Sequence, residues 1–509
     1  MSQTASPGVG GKVAAASFTM IALRLAFRSI GFVSTLILVR LLRPDDFGLV
    51  GLATALIGAM DLMTEMSMQA ALIRLAEMDR RVMDTAWTMN ICRGVAIGCL
   101  VALSSGVAAE WMRDPRVTPI LWVLAVVAAV QGFENIGIAH FRRDLMFQRI
   151  FQYQLYAKLA SFSVTVAGAA LFRSYWALVA GIATFRVFMV CYSYIIQPYR
   201  PRLSLAAFQE LFHFSKWFMA TNLLMMIESY TATLLFSRIG GATAVGLYQL
   251  SWQVGSLPTG EIGAPIREPI YAGYARMLDN LTALRRHFID GLALMTMVVA
   301  PLSVGIALCA DLACWLLLGP KWAAATPLIR LCAFYALFDC IGHFTHNVFV
   351  VLNRQRRLVL TYAPSVVLRF GLAIWAGVTW GIAAAVWVLT LTAIANAVIW
   401  LLALLPILKL RLMALIDALW RTAVSCAVMA AVLMSLAQLG IDGAPVPRIV
   451  AHGAAAIGLG AASYVGAQFL LWLLSGASDG PEMHAWSYLA TQFRRVLMLR
   501  AERRRLQAP

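Results

Sequence analysis

Arg24 and Arg28 stand one helical turn apart inside the first long apolar stretch of the chain, Phe18 to Leu42. An ionised side chain at bilayer depth costs at least ~2.5 kcal/mol, so such residues face a bundle interior or a wet cavity and handle something charged. On a helix, Ser17, Arg24, Arg28, Gly31 and Thr35 share one face, whereas Leu25, Phe32, Leu36 and Val39 fall on others. The chemistry open to that face is the capture of an anionic group.

Other apolar stretches carry similar polar stripes. Thr54, Asp61, Glu65 and Gln69 share a face of the second stretch, and Gln154, Lys158, Ser161 and Thr165 share one in the fifth. Tyr362, Ser365 and Arg369 form another in the eleventh, while Glu228 lies in the seventh and Arg267 in the eighth. Any single one of these charges could serve as half of a structural ion pair, but the set as a whole suits a hydrated pathway better. Asp339, His343 and His346 line one face of the tenth stretch, a spacing that suits proton relay and ion coupling or, less well, metal binding. No metal or cofactor is expected, and the 8 cysteines, scattered through apolar segments without ligand spacing, read as small hydrophobes.

The elements that must position these groups follow from composition. Of 509 residues, 61% are hydrophobic and only 13% charged, with a mean hydropathy of +0.77, which describes an all-α polytopic membrane protein. Windows of about 19 residues give about fourteen spans. These are 18–42, 47–72, 86–109, 117–139, 151–172, 176–197, 217–238, 245–272, 288–310, 326–352, 358–379, 381–407, 418–438 and 449–474. Turn chemistry separates them at Arg43-Pro44-Asp45-Asp46, Arg113-Asp114-Pro115, Gly240-Gly241 and Asp442-Gly443-Ala444-Pro445. The eighth span is interrupted by Pro258 and Pro265.

The net charge of +17 is distributed by side. Alternate loops carry Arg80-Arg81, Arg142-Arg143, Arg200 and Arg202, Arg285-Arg286 and Arg356-Arg357, followed by the arginines of the tail from Arg494 to Arg505. The opposite loops hold far fewer, among them Arg113, Arg116, Arg173 and Lys321. This positive-inside bias predicts a multi-pass protein with both termini cytoplasmic, its basic tail resting on anionic membrane lipids and not on nucleic acid. The first apolar run reads as an uncleaved span. Short loops leave no room for an extramembrane catalytic domain, so no enzyme is expected.

Arg40 to Leu52 and Arg238 to Leu250 each end one span and begin the next around a Gly-Leu pair, Gly48-Leu49 and Gly246-Leu247. The period, about 198 residues or six spans, predicts two six-helix lobes related by a pseudo-twofold along the membrane normal, plus two extra C-terminal helices. The corresponding divisions are 1–205, 206–410, 411–475 and a basic tail at 476–509.

The motif Arg40-Leu41-Leu42, Pro44, Phe47-Gly48-Leu49 resembles a signature of Wzx-type flippases of the multidrug/oligosaccharidyl-lipid/polysaccharide superfamily. Arg143 to Phe147, Trp176 to Val179, Phe214 with Asn222, Arg238, Gly246, Tyr248, Pro258 and Pro269 follow in the family's order, over roughly residues 12 to 440. The resemblance implies a flippase that moves an undecaprenyl-diphosphate-linked oligosaccharide, an exopolysaccharide or O-antigen repeat unit, across the bacterial inner membrane. It implies a glycan polymerase and export machinery as partners. Guanidinium groups bind phosphate oxygens bidentately, which assigns Arg24, Arg28, Arg267 and Arg369 to the pyrophosphate. Two features depart from relatives: an acidic position common in their seventh span falls at Ala232, with Glu228 one turn earlier, and many relatives carry glutamines rather than arginines in the first span. The alternatives are a drug or cation antiporter of the same superfamily and a membrane glycan polymerase or ligase. The first should carry carboxylates in its cavity, and the second needs a large periplasmic loop.

Overall fold

The computed structural model describes residues 27, 29–64, 79–143, 146–275, 277, 280–352, 354–437 and 446–476. Arg24, Arg28 and Glu65 lie outside them, as does the turn predicted at 442–445. The chain is an all-α membrane protein. Among the described residues, eight helices are long and apolar enough to cross a membrane, joined by the shorter apolar helices Ser29–Leu41, Val117–Gln131 and Pro364–Trp380.

In chain order the helices are α1 (Ser29–Leu41), α2 (Pro44–Thr64), α3 (Arg80–Met112), α4 (Val117–Gln131), α5 (Ile138–Arg143), α6 (Phe147–Phe172), α7 (Trp176–Ile196) and α8 (Phe208–Gly255). There follow α9 (Ala264–Ala275), α10 (Leu281–Leu308), α11 (Ala310–Ala313), α12 (Thr326–Val351), α13 (Gln355–Trp380), α14 (Ile382–Leu408), α15 (Leu412–Ala437) and α16 (Val446–Leu474). A π-helical turn, Pro258–Gly263, joins α8 to α9.

Packing divides the described residues into two compact units. The first runs to Gln249 and includes Leu317–Trp322; the second holds Leu250–Leu316 and the chain from Ala323 onward. In the first, α3 packs on α4, α4 on α7, and α6 on α7; in the second, α12 and α13 pack on α14, while α10 touches both α12 and α15.

Local chemistry explains the breaks. Between α1 and α2, Pro44 occupies the first helical position, and the Asp46 carboxylate accepts from the Arg43 N–H at 3.0 Å, so one orphan donor is capped. At the end of α3, Arg113 adopts a left-handed conformation (φ 56°), and the Asp114 N–H returns to the Ala109 carbonyl at 3.0 Å. Arg173 and Lys409 end α6 and α14 in the same way. A cation at each of these positions faces the negative pole of its helix dipole. Gly241, at φ 65°, kinks α8 at the predicted Gly-Gly.

Several boundaries differ from expectation by more than a turn, two of them inside predicted spans. The fourth span ends at Gln131, not 139, and at the break Gly132 lies against the backbone of α3: a Cβ there would sit 2.9 Å from the Asn90 carbonyl oxygen. Asn90 in turn donates to the Gly132 carbonyl at 3.0 Å, replacing a lost helical bond. The eighth span is split by its prolines into the end of α8, the π turn and α9.

The repeated motifs meet within the first unit. A Cβ at Gly48 would lie 1.6 Å from the Ala242 carbonyl oxygen, and one at Gly246 would lie 1.9 Å from that of Pro44. Ala242 and Gly246 follow Pro44 and Gly48 by the same repeat distance, so each motif presses its glycine onto the other in a local twofold arrangement. Trp322 completes this region; fully buried, it donates from Nε1 to the Val39 carbonyl at 3.0 Å and meets the Phe47 ring edge-on at 5.4 Å.

Candidate functional site

In the second unit, three helices bring predicted residues together. α12 places Asp339, His343 and His346 on one face, and the His343 Nδ1 lies 3.3 Å from the Asp339 carboxylate and 2.9 Å from its carbonyl oxygen. Either acceptor suits a proton on Nδ1. His346 turns its ring toward Trp400 of α14 at 5.8 Å.

Arg369 arrives from α13. Only 2% exposed, its guanidinium stands 4.7 Å from the centre of the Tyr335 ring and 5.9 Å from that of Phe370. Arg267 arrives from α9, just past the π turn, whose Gly263 seats against Val299 of α10 and Cys340 of α12. Both guanidinium groups act electrostatically on Asp339. Residues that the sequence divides into anion binders and ion-coupling groups thus form one cluster. With neutral imidazoles it carries two positive charges and one negative, so it favours an anion.

The predicted residues described in the first unit lie on α2, α6 and α8. Asp61 of α2 faces Arg93 of α3 at 3.9 Å, each side chain about one quarter exposed. Lys158 of α6 lies over the Phe27 ring at 5.5 Å and beside Gly31 of α1. Below it, Ser161 donates to the Gly181 carbonyl at 2.8 Å, which ties the polar stripe of α6 to α7. Glu228 is half-buried on α8.

Sequence reasoning missed a second polar group in this unit, around the break after α4. Tyr153, 2% exposed, donates to Glu134 at 2.7 Å, and Asn135 donates to the Tyr199 carbonyl at 2.8 Å. The segment after α7 is strapped to the start of α3. Asp84 accepts from the Tyr199 hydroxyl and from the Arg202 N–H at 2.9 Å, Thr88 accepts from the Ser204 N–H at 2.9 Å, and Thr85 accepts from the Ala207 N–H at 3.2 Å. Burial, aided by the Asp84 carboxylate, pushes the Tyr199 hydroxyl well above its ordinary range and keeps it a donor. The signal was the polar pair Asp84-Thr85 with Thr88 at a helix start.

Residues 37–327 match the family described as "Polysaccharide biosynthesis protein". The chain is 23% identical over 318 residues to the lipopolysaccharide biosynthesis protein WzxC of Escherichia coli K12, covering 62% of this chain and 65% of that protein. It is 22% identical over 357 residues to the teichuronic acid biosynthesis protein TuaB of Bacillus subtilis, covering 69% and 73%. Its fold matches the lipid II flippase MurJ in an inward closed conformation, with a TM-score of 0.70 at 12% identity over 88% of this chain and 99% of that one. The chain therefore belongs to the polysaccharide biosynthesis protein family of multi-pass membrane proteins.

Proposed function

We propose that the protein is a flippase: it carries an undecaprenyl-diphosphate-linked oligosaccharide, an exopolysaccharide or O-antigen repeat unit, from the cytoplasmic to the periplasmic leaflet of the bacterial inner membrane. The observation that carries this reading is the cluster of Arg267, Arg369, Asp339, His343 and His346 contributed by α9, α12 and α13. Guanidinium groups bind phosphate oxygens by charge-assisted hydrogen bonds, which suits Arg267 and Arg369 to a pyrophosphate, and the Asp339–His343 pair can exchange a proton as the cargo enters or leaves. Arg24 and Arg28 of the first span take the same role on sequence grounds, with Lys158, Asp61, Glu65 and Glu228 contacting cargo along the first unit's stripes. Kinship to proteins of glycan biosynthesis supports a lipid-linked sugar as cargo.

Alternating access follows from two lobes rocking about the bound headgroup, with both termini in the cytoplasm. A glycan polymerase and the export machinery then receive the product. A strain lacking the gene is expected to accumulate lipid-linked repeat units on the cytoplasmic leaflet. In proteoliposomes, Arg267→Ala is expected to slow transfer of a polyprenyl-diphosphate sugar at least ~10-fold, since loss of one charge-assisted contact is worth roughly 1.5–3 kcal/mol. Wild-type transfer by this variant would remove the cluster from the mechanism.

A further inference from the structure

The last two helices carry none of the charges discussed so far, yet a polar contact ties them to α10 of the second unit. Pro301 lies inside α10 and has no N–H, so the carbonyl one turn earlier, that of Met297, loses its helical hydrogen bond. Tyr464 of α16 supplies the missing donor: its hydroxyl sits 2.7 Å from the Met297 oxygen. Tyr464 is 8% exposed and packs with Cys426, Met429, Leu433 and Ala456 against Ala300 and Val304, on either side of the proline.

The rest of the contact is built to hold that hydroxyl in place. Ser425 of α15 donates to Gln468 of α16 at 2.9 Å, both side chains buried, so the two helices move as a pair. Gly460 lets Leu433 close to within 3.2 Å of where a Cβ would stand. On its other side, α10 leads straight to the charged cluster. The Met295 Sδ lies 3.7 Å from the Cys340 Sγ, next to Asp339, and Phe288 packs against Phe344, next to His343.

We infer that α15 and α16 are a brace for the proline break in α10, and that Tyr464 is a positioning residue acting through α10 on the helix that carries Asp339, His343 and His346. A proline at this depth leaves a carbonyl that lipid cannot satisfy, and a neighbouring helix must satisfy it. Tyr464 does so from outside the cluster.

The test is a double-mutant cycle on the full-length protein, read as resistance to unfolding in detergent and as transfer rate in proteoliposomes. Tyr464→Phe is expected to lower the folded-to-unfolded ratio roughly three- to tenfold and to slow transfer at equal amounts of folded protein. Pro301→Ala restores an N–H to the Met297 carbonyl, so in that background Tyr464→Phe is expected to change neither readout. Should Pro301→Ala fold poorly, Pro301→Gly restores the same N–H. Ser425→Ala, which loosens the helix pair without touching the proline, is expected to cost the same stability in both backgrounds. An equal loss from Tyr464→Phe with and without the proline overturns the assignment, as does no loss in either. The transfer arm rests on the flippase reading; the unfolding arm does not, so a defect confined to unfolding would count against the coupling to the cluster and leave cargo identity untouched.

Discussion

Asp84 in the first unit and Asp339 in the second are both carboxylates on long helices that their neighbours largely cover, and their surroundings differ in kind. Asp84, 7% exposed, accepts from Tyr199 and from the Arg202 backbone, both on the strap that follows α7. Its partners are parts of the fold, and their geometry fixes a chain segment. Asp339 is surrounded by charged side chains, with His343 on its own helix, Arg369 on α13 and Arg267 on α9. Nothing in that arrangement is needed to hold a turn or cap a helix. A buried carboxylate held by a tyrosine hydroxyl and a backbone N–H of one strap, with Arg80 one turn away at 3.9 Å, therefore reads as architecture, whereas one placed among cationic side chains from several helices reads as a site.

The largest effect that could break this contrast lies at Arg369. Its guanidinium is almost fully enclosed, so Arg369→Ala leaves a gap beside Tyr335 and removes a counter-charge of Asp339. The expected cost is about 3–5 kcal/mol of stability together with loss of transfer. Arg369→Lys keeps the charge without the planar fork, and is expected to recover most of the folded protein but little of the transfer. Detergent unfolding and proteoliposome transfer separate the two. If the lysine variant transfers at the wild-type rate, the cluster is architecture too.

A smaller effect probes the other side. Asp84→Ala strips acceptors from the Tyr199 hydroxyl and the Arg202 N–H, and is expected to cost about 1–3 kcal/mol. Limited proteolysis between Gln197 and Ala207 should quicken, because the strap loses an anchor. Transfer per folded molecule is expected to stay at the wild-type value. A fall in that rate comparable to the Arg369 variants would mean that the strap belongs to the transport machinery.

Much of the fold could be read before any coordinates. Apolar windows mark the helices well because a membrane span must satisfy its backbone within itself, so length and composition nearly suffice. Arg113 and Gly241 show the same for turns, since each break falls where a turn residue predicts it. The repeat was legible too, and the opposed glycines at 48 and 246 give it a steric reason. What stayed hidden depends on helices distant in sequence. Arg93 as the partner of Asp61, and the joining of Arg267 and Arg369 with Asp339, are tertiary facts that no helical periodicity contains. The early end of α4 escaped because Ile136 to Ala139 keeps the apolar run going, while the contacts at the break, Gly132 against α3 and Asn90 on its carbonyl, depend on another helix.

The mildest test of the contrast uses pH. Asp114, at the turn after α3, receives Arg116 at 2.7 Å from Nη2 and the Arg116 N–H at 3.0 Å, and the Arg116 side chain holds its carboxyl below the usual range. A carboxylate whose folded value is depressed stabilises the fold fully above its unfolded value, near pH ~3.9, and loses that contribution as pH falls through the folded value. Arg116 is 46% exposed at its side chain, so the pair is screened and worth less than ~1 kcal/mol. Wild type and Asp114→Asn should therefore differ slightly in unfolding midpoint at neutral pH and converge below about pH 4. Their transfer rates should match throughout. The second unit should show the opposite pattern: His343→Gln, which removes the imidazole beside Asp339, is expected to slow transfer while leaving the unfolding midpoint near that of wild type. A wild-type transfer rate in the His343 variant, or a slowed one in the Asp114 variant, would place the groups that drive transfer outside the second unit.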